Sequence, residues 1–346
     1  MSTSQSAIYA PLYLLPVTAI APVLEQLSPT IYGDALMVAR DNWYLVTDAI
    51  SERLAARRGS RTGDQAQNLS APDDRTIWLT GLGQFGNVYS NGTSGYSSSS
   101  GGVAAGVDMP LNSIVIIGAA FGFTNQVTSA KNAASFTGDA FQFGLYGSLR
   151  QGIAFLDLQA GGLFSEGTAR RPLGANDVQA KGNTNGSAGG GSMRGGVRLD
   201  AGDWQLEPSL TLAGVSLNQG SLTETQAGPA GLSIASGSVG SLQTLLGTRA
   251  ERRIVLGDNV TLVPSVQIGW LHEYLDTRGS TQAAFIGAPG VSFGVQSAPV
   301  GRDAAVIGLH AALDLNGPLA VYASYIGTLN ASSNAQTVSA GLRIVW

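Results

Sequence analysis

The chain runs to 346 residues with 47 glycines, no cysteine and a net charge of −4; 44% of it is apolar and only 12% charged. That charged share is about half of what soluble domains carry, so the composition fits neither a disordered polymer nor a typical cytosolic enzyme. A disulfide framework and thiol metal sites are excluded, no basic stripe invites a nucleic acid, and the length admits two ordinary domains or one large barrel.

The first apolar run, "APLYLLPVTAIAPVL" at 10–24, is interrupted by Pro11, Pro16 and Pro22. It is too short and too broken for a transmembrane helix, which needs ~20 apolar residues. No basic segment precedes a short hydrophobic core, so it does not read as a signal peptide. Residues 1–27 are therefore expected as a linker. From 28 to 58 the spacing predicts a helix, with Ser28 suited to the N-cap and Pro29 to the first helical position. Leu36, Ala39, Trp43, Val46, Ile50 and Leu54 recur every three or four residues as an apolar stripe. Arg53, Arg57 and Arg58 fall near the end, where cations complement the helix dipole. Such a helix spans ~46 Å, enough to cross a bilayer. On its own it would equally suit packing on a soluble domain. A polar link without periodicity follows over 59–75.

Beyond the link no comparable helix appears. Strands are expected at 76–87, 99–109, 112–126, 135–150, 152–166, 189–200, 203–219, 237–256, 259–276, 302–315, 318–330 and 335–346. Short connections, as at "RQG" and "LDAGD", alternate with long polar ones near 88–98, 127–134, 167–188, 220–236, 277–301 and 330–335. An up-and-down outer-membrane barrel has this asymmetry of turns. It also assigns 282–296 to a long connection, as a protruding ribbon. Faces alternate as a lipid exterior requires: Trp204, Leu206, Leu210 and Leu212 oppose Gln205, Glu207, Ser209 and Thr211, and Met193 opposes Arg194 and Arg198. The last strand, "TVSAGLRIVW", puts Val338, Ala340, Leu342, Ile344 and Trp346 on one face. The expected fold is thus an all-β membrane protein, a 12-stranded antiparallel barrel whose lumen is about one helix wide. The N-terminal helix threads it, so that its arginines, Asp34, Asp41, Asp48 and Glu52 can meet Arg194, Arg198, Glu207, Asp157 or Glu251 across the pore.

The proline-broken lead "YAPLYLLP", the helix "LSPTIYGDALMVARDNWYLVTDAISERL", the strand opening "IWLTGLGQFGN", then "FQFGLYGSLRQG", "GWLHEYLD", "VGRDAAVIGLHAAL" and the terminal "SAGLRIVW" together resemble a known family. It is the C-terminal translocator domain of type Va autotransporters, secretion proteins of Gram-negative bacteria. The resemblance covers about residues 10–346. It implies outer-membrane localisation, a helix in the pore, and surface display of an N-terminal passenger whose junction leaves residues 1–27 as a remnant. It also implies lipids, barrel-assembly machinery and periplasmic chaperones as partners. The family's terminal assembly signal maps onto Leu342, Ile344 and Trp346. Members that release their passenger often carry paired asparagines in the helix; here "ARDNWY" offers only Asp41–Asn42, and no cut within this chain is favoured.

Catalytic chemistry finds little support. His272 and His310 are the only histidines, and His272 and Glu273, as strand neighbours, face opposite ways. There is no G-x-S-x-G elbow and no zinc-binding His pair on a helix. Gly81, Gly83 and Gly86 do not fit a nucleotide loop, because strand rather than helix follows; they are expected where the strand bends or lies against the pore helix. Tyr146 in "GLYG" is expected to pack over a neighbouring glycine. The expectation is no enzyme and no cofactor, with a helix-plugged channel and an outer-membrane hydrolase as the alternatives.

Overall fold

The computed structural model describes residues 16–59, 75–173, 178–257, 260–315 and 318–345. Two helices precede the sheet, α1 (Val17–Leu27) and α2 (Thr30–Gly59). The barrel strands are β1 (Thr76–Val88), β2 (Tyr96–Pro110), β3 (Val115–Ala130), β4 (Ser135–Gln151), β5 (Ala154–Pro172) and β6 (Gln179–Val197, continued by Leu199–Ala201). They are followed by β7 (Trp204–Gln219), β8 (Gly237–Arg252, continued by Ile254–Gly257), β9 (Val260–Glu273), β10 (Asp303–Asp314), β11 (Leu319–Leu329) and β12 (Ser333–Val345). Each pairs antiparallel with its neighbours in sequence, and β1 pairs with β12 from Thr76↔Val345 to Val88↔Ser333, closing a 12-stranded barrel with no free edge.

The polarity of that barrel is inverted relative to a soluble one. Leu145, Leu158, Leu210, Leu246, Ile268 and Leu309 point outward and are exposed. Thr80, Ser100, Thr124, Gln126, Gln142 and Ser148 point inward and are buried. An outward apolar belt is stable only against hydrocarbon. Among the described residues no helix is long and apolar enough to cross a membrane; the strands do the crossing.

One rim carries tight connections, in which Gly152 (φ 59°) and Gly202 (φ 64°) supply the left-handed backbone their turns need. The other rim carries the long connections. We call these the inner and outer rims, since outer-membrane barrels keep short turns on the periplasmic side.

Several boundaries differ from the sequence reading. Residues 17–27 form α1 rather than a linker. Pro16 stands at its N-cap, where a missing N–H costs nothing, and Pro22 removes only one bond from a short helix. Ser28 consequently closes α1, its N–H donating to the Glu25 carbonyl, and α2 begins at Thr30 beyond Pro29. The join expected at 167–188 is mostly strand, with β5 and β6 paired as far as Pro172↔Gln179. Its polar, glycine-rich sequence lacks apolar alternation because that part of the hairpin stands above the lipid belt. Residues 1–15, the polar link 60–74 and Trp346 lie outside the described residues.

Candidate functional site

The lumen is occupied by α2, 30 residues or about 45 Å of helix. It is buried almost all round, as a helix enclosed by a barrel must be. It lies against one wall. Leu45, Val46, Ile50 and Leu54 pack on Trp78, Leu82, Ala104, Ala120 and Tyr146, and Trp43 packs on Ala140, Leu163 and Val215. Wall glycines make the approach possible: a Cβ on Gly122 would sit 2.8 Å from Val46, and one on Gly190 3.0 Å from Trp43. Gly81, Gly83 and Gly86 do not do this. Their nearest neighbours are Ala340, Val338 and Ser98 of adjoining strands, because β1 bears on the helix through Trp78 and Leu82 instead. Tyr146 covers Gly118, where a Cβ would fall 2.3 Å from the ring, and accepts a 2.8 Å hydrogen bond from the Trp78 indole.

At the inner end the helix is held by charge. Arg53 makes a two-pronged contact with Asp108 of β2, at 2.7 and 2.9 Å, and Arg57 reaches the same carboxylate at 3.1 Å. Both partners of the Arg53–Asp108 pair are only 1% exposed. Arg58 bridges Asp157 of β5 and Glu207 of β7, the latter at 2.9 Å, with its guanidinium 3.9 Å over the Phe155 ring. Arg194 binds Glu207 at 3.1 Å. Arg198 donates to the Arg58 carbonyl and, at 2.8 Å, to Glu251. Thus Arg53, Arg57, Arg58, Arg194, Arg198 and Glu207 converge on one belt. Asp108, which organises half of it, was missed from sequence. Its signal was parity: it alternates with outward Val107 and Met109, so a charge there must face the lumen.

The middle of the helix is different. Asp41 pairs with its neighbour Arg40, at 2.8 Å, rather than with the wall. Asn42 is buried and donates to Gln126 of β3. No hydroxyl or histidine is hydrogen-bonded to Asn42 among the described residues. Glu52 meets Arg249 at 2.8 Å, and the same oxygen lies 3.0 Å from Nδ1 of His310. The other ring nitrogen of His310 lies over Gly308 and has no hydrogen-bond partner among the described residues. His272 sits on the outward face beside Trp270 and Tyr274, with Nδ1 2.7 Å from Asp303.

The outer end is closed by a lid that sequence reasoning did not find. Residues 220–236 and the hairpin Ser280–Phe285/Ser292–Gln296 fold inward instead of protruding. Leu222, Leu232, Ile234, Ala283 and Val295 cover Ile31, Tyr32 and Ala35 of the helix. Gly33 and Gly279 touch backbone to backbone; a Cβ on Gly33 would lie 2.7 Å from the Gly279 carbonyl oxygen. Arg171 of β5 and Glu224 of the lid form a fully buried pair at 2.6 Å, and the Tyr32 hydroxyl donates to Glu224 at 3.0 Å. Arg171 also donates to the carbonyl of Leu27, fixing the α1–α2 junction. Asp34, expected to meet a basic residue of the wall, is buried beneath this lid and makes no ion pair among the described residues. Leu342 and Ile344 of β12 point outward.

Comparison with known proteins converges on one family. Residues 77–326 match the autotransporter beta-domain. An extracellular serine protease of Serratia marcescens is 28% identical over 92% of this chain, which spans only 30% of that protein's length. The translocator domain of the autotransporter NalP from Neisseria meningitidis has the same fold. It superposes with a TM-score of 0.71 at 16% identity, over 92% of this chain and all of that one. The beta domain of the Bordetella autotransporter BrkA gives 0.60 at 18% identity, over 79% of this chain and 100% of that domain.

Proposed function

The chain belongs to the autotransporter beta-domain family, and on that premise we propose that its arrangement is the one reached after transport, with α2 left in the pore as plug. The chain is an outer-membrane translocator domain of a Gram-negative bacterium, and it serves secretion of a linked N-terminal passenger.

The observation that carries the proposal is the direction of α2. Its arginine-rich C-terminal end meets β2, β5 and β7 at the inner rim, while its N-terminal end lies under the lid at the outer rim. A passenger joined ahead of α1 therefore emerges on the outer side. In this reading residues 1–27 belong to the passenger junction, 28–58 to the plug, 59–75 to the return link and 76–346 to the barrel. Arg53, Arg57, Arg58, Arg194, Arg198 and Glu207 seal the inner rim, and Asp34 and Asp41 belong to the part of the helix held from outside.

The chain itself performs no catalysis in this proposal. The Asp41–Asn42 bond stays intact, because Asp41 is engaged by Arg40 and Asn42 by Gln126. Outward Leu342 and Ile344, with Trp346, form the face read by the barrel-assembly machinery, to which periplasmic chaperones deliver the chain. An epitope fused ahead of Met1, behind a signal peptide, tests the transport reading. It should be detected on intact cells. Detection only after the outer membrane is permeabilised, with the barrel normally inserted, would overturn it.

A further inference from the structure

The lid leaves apolar surface open at the outer mouth. Leu27 and Pro29, at the α1–α2 junction, face Phe285 and Phe293 of the lid hairpin across a groove of about 690 Å³. Ile286 and Val291, at the tip of the same hairpin, are exposed as well. Hydrocarbon does not cover these side chains, since the lid closes the mouth of the barrel rather than its lipid-facing side. The groove also presents a strand edge. Phe293, Gly294, Val295 and Gln296 line it in succession, as an edge does; a face would contribute every second residue. Among the described residues this arm pairs only with the first arm of the hairpin, Ser280–Phe285. Its far row of N–H and C=O groups is therefore open to another strand.

The chain itself supplies an occupant. Residues 8–15, which lie outside the described residues, read IYAPLYLL and join α1 directly at Pro16. No side chain before Glu25 is charged. The 11 residues of α1 rise about 16 Å, and eight extended residues reach about 26 Å, so the segment turned back along α1 reaches the groove. Its tether holds it there at a local concentration on the order of millimolar. We infer that residues 8–15 add as a further strand to the open edge of the lid hairpin, between it and the α1–α2 junction. Leu12 and Leu14 alternate with Tyr13 and Leu15, apolar on both faces, as suits a strand sunk between a helix and a lid. Pro11 lacks an N–H, which only an outermost strand tolerates. The inference rests on the reading that α2 stands with its N-terminal end outward. It adds the partner of that end: the last stretch of the passenger junction locks the lid from outside.

The full chain folded in detergent micelles tests this with cysteine pairs, since it has no cysteine of its own. Gly294→Cys has room, because a Cβ there meets only the Gln282 side chain, at 3.6 Å. Combined in turn with Leu12→Cys, Tyr13→Cys, Leu14→Cys and Leu15→Cys, it should oxidise to a disulfide within one chain. Yields should alternate along the segment, the favoured positions several-fold above the others and above a Ser2→Cys control. Hydrogen exchange reads the same contact without a crosslink. Leu12→Ser combined with Leu14→Ser should speed exchange over 292–296 several-fold and leave the helix around Arg53 unchanged. Yields without alternation or no better than the control, disulfides only between two chains, or unchanged exchange over 292–296 would each overturn the inference. Lost surface display of the fused epitope, with these contacts intact, would count instead against the transport reading.

Discussion

The two ends of the plug helix are held by different physics. At the inner rim the helix presents arginines and the barrel presents carboxylates: Arg53 and Arg57 on Asp108, Arg58 on Asp157 and Glu207. At the outer rim it presents Ile31, Tyr32 and Ala35 to an apolar lid, with one buried pair, Arg171–Glu224, latching lid to wall. Ion pairs fix register and direction, since a shifted helix would leave charges without partners. An apolar lid fixes closure without specifying direction, and it can form after the helix has arrived. The difference suggests a division of labour: the inner belt stops the chain at its place in the pore, and the lid shuts the mouth behind it.

Substitutions at the two ends should break that comparison in unlike ways. Asp108→Ala should have the largest effect, because it takes the two-pronged partner from buried Arg53 and removes a contact of Arg57 and of the Tyr146 hydroxyl. Removing one partner of a buried pair costs about 3–5 kcal/mol. Chemical denaturation should show the loss, and conductance should rise as the helix loosens from its inner end. Leu232→Ala, in the lid core and fully buried, should cost about 2–5 kcal/mol, confined to the outer end. Hydrogen exchange should speed up over 222–234 while the inner belt stays protected. Equal exchange at both ends would mean that lid and belt form one cooperative unit. Gly33→Ala is the mildest of the three. Its methyl meets the Gly279 carbonyl, and overpacking of that kind costs about 1–3 kcal/mol. Paired with Asp108→Ala it should be additive if the ends are independent; coupling well beyond the sum would merge them.

Much of this architecture is written locally and some of it is not. The spacing of Leu36, Trp43, Val46, Ile50 and Leu54 is a helix period, and the alternation of Ile307 and Leu309 with His310 is a strand period; both are visible in any short window. The arginines near the end of α2 also stand out, as complements of the helix dipole and, once the helix is threaded, as groups that can meet carboxylates such as Asp157 and Glu207 across the pore. Their carboxylate partners lie at strand ends far along the chain, so parity alone points to Asp108, Asp157 and Glu207. The lid has no period at all. Leu222, Leu232 and Ile234 are scattered among Gly, Pro and Ser, and only the helix end they cover gives them a common face. Prolines hid α1 in the same way, because Pro16 marks a helix start as readily as a break. The glycines of β1 misled for the converse reason: a glycine in a strand announces a close approach without saying to what.

The direction of the plug relative to the membrane decides which rim faces the cell exterior. In this cysteine-free chain, single substitutions Leu24→Cys in α1 and Leu111→Cys in the β2–β3 turn place one exposed thiol at each rim. A membrane-impermeant maleimide applied to intact cells should label Leu24→Cys and spare Leu111→Cys until the outer membrane is breached. Labelling of Leu111→Cys on intact cells, with Leu24→Cys protected, would contradict it.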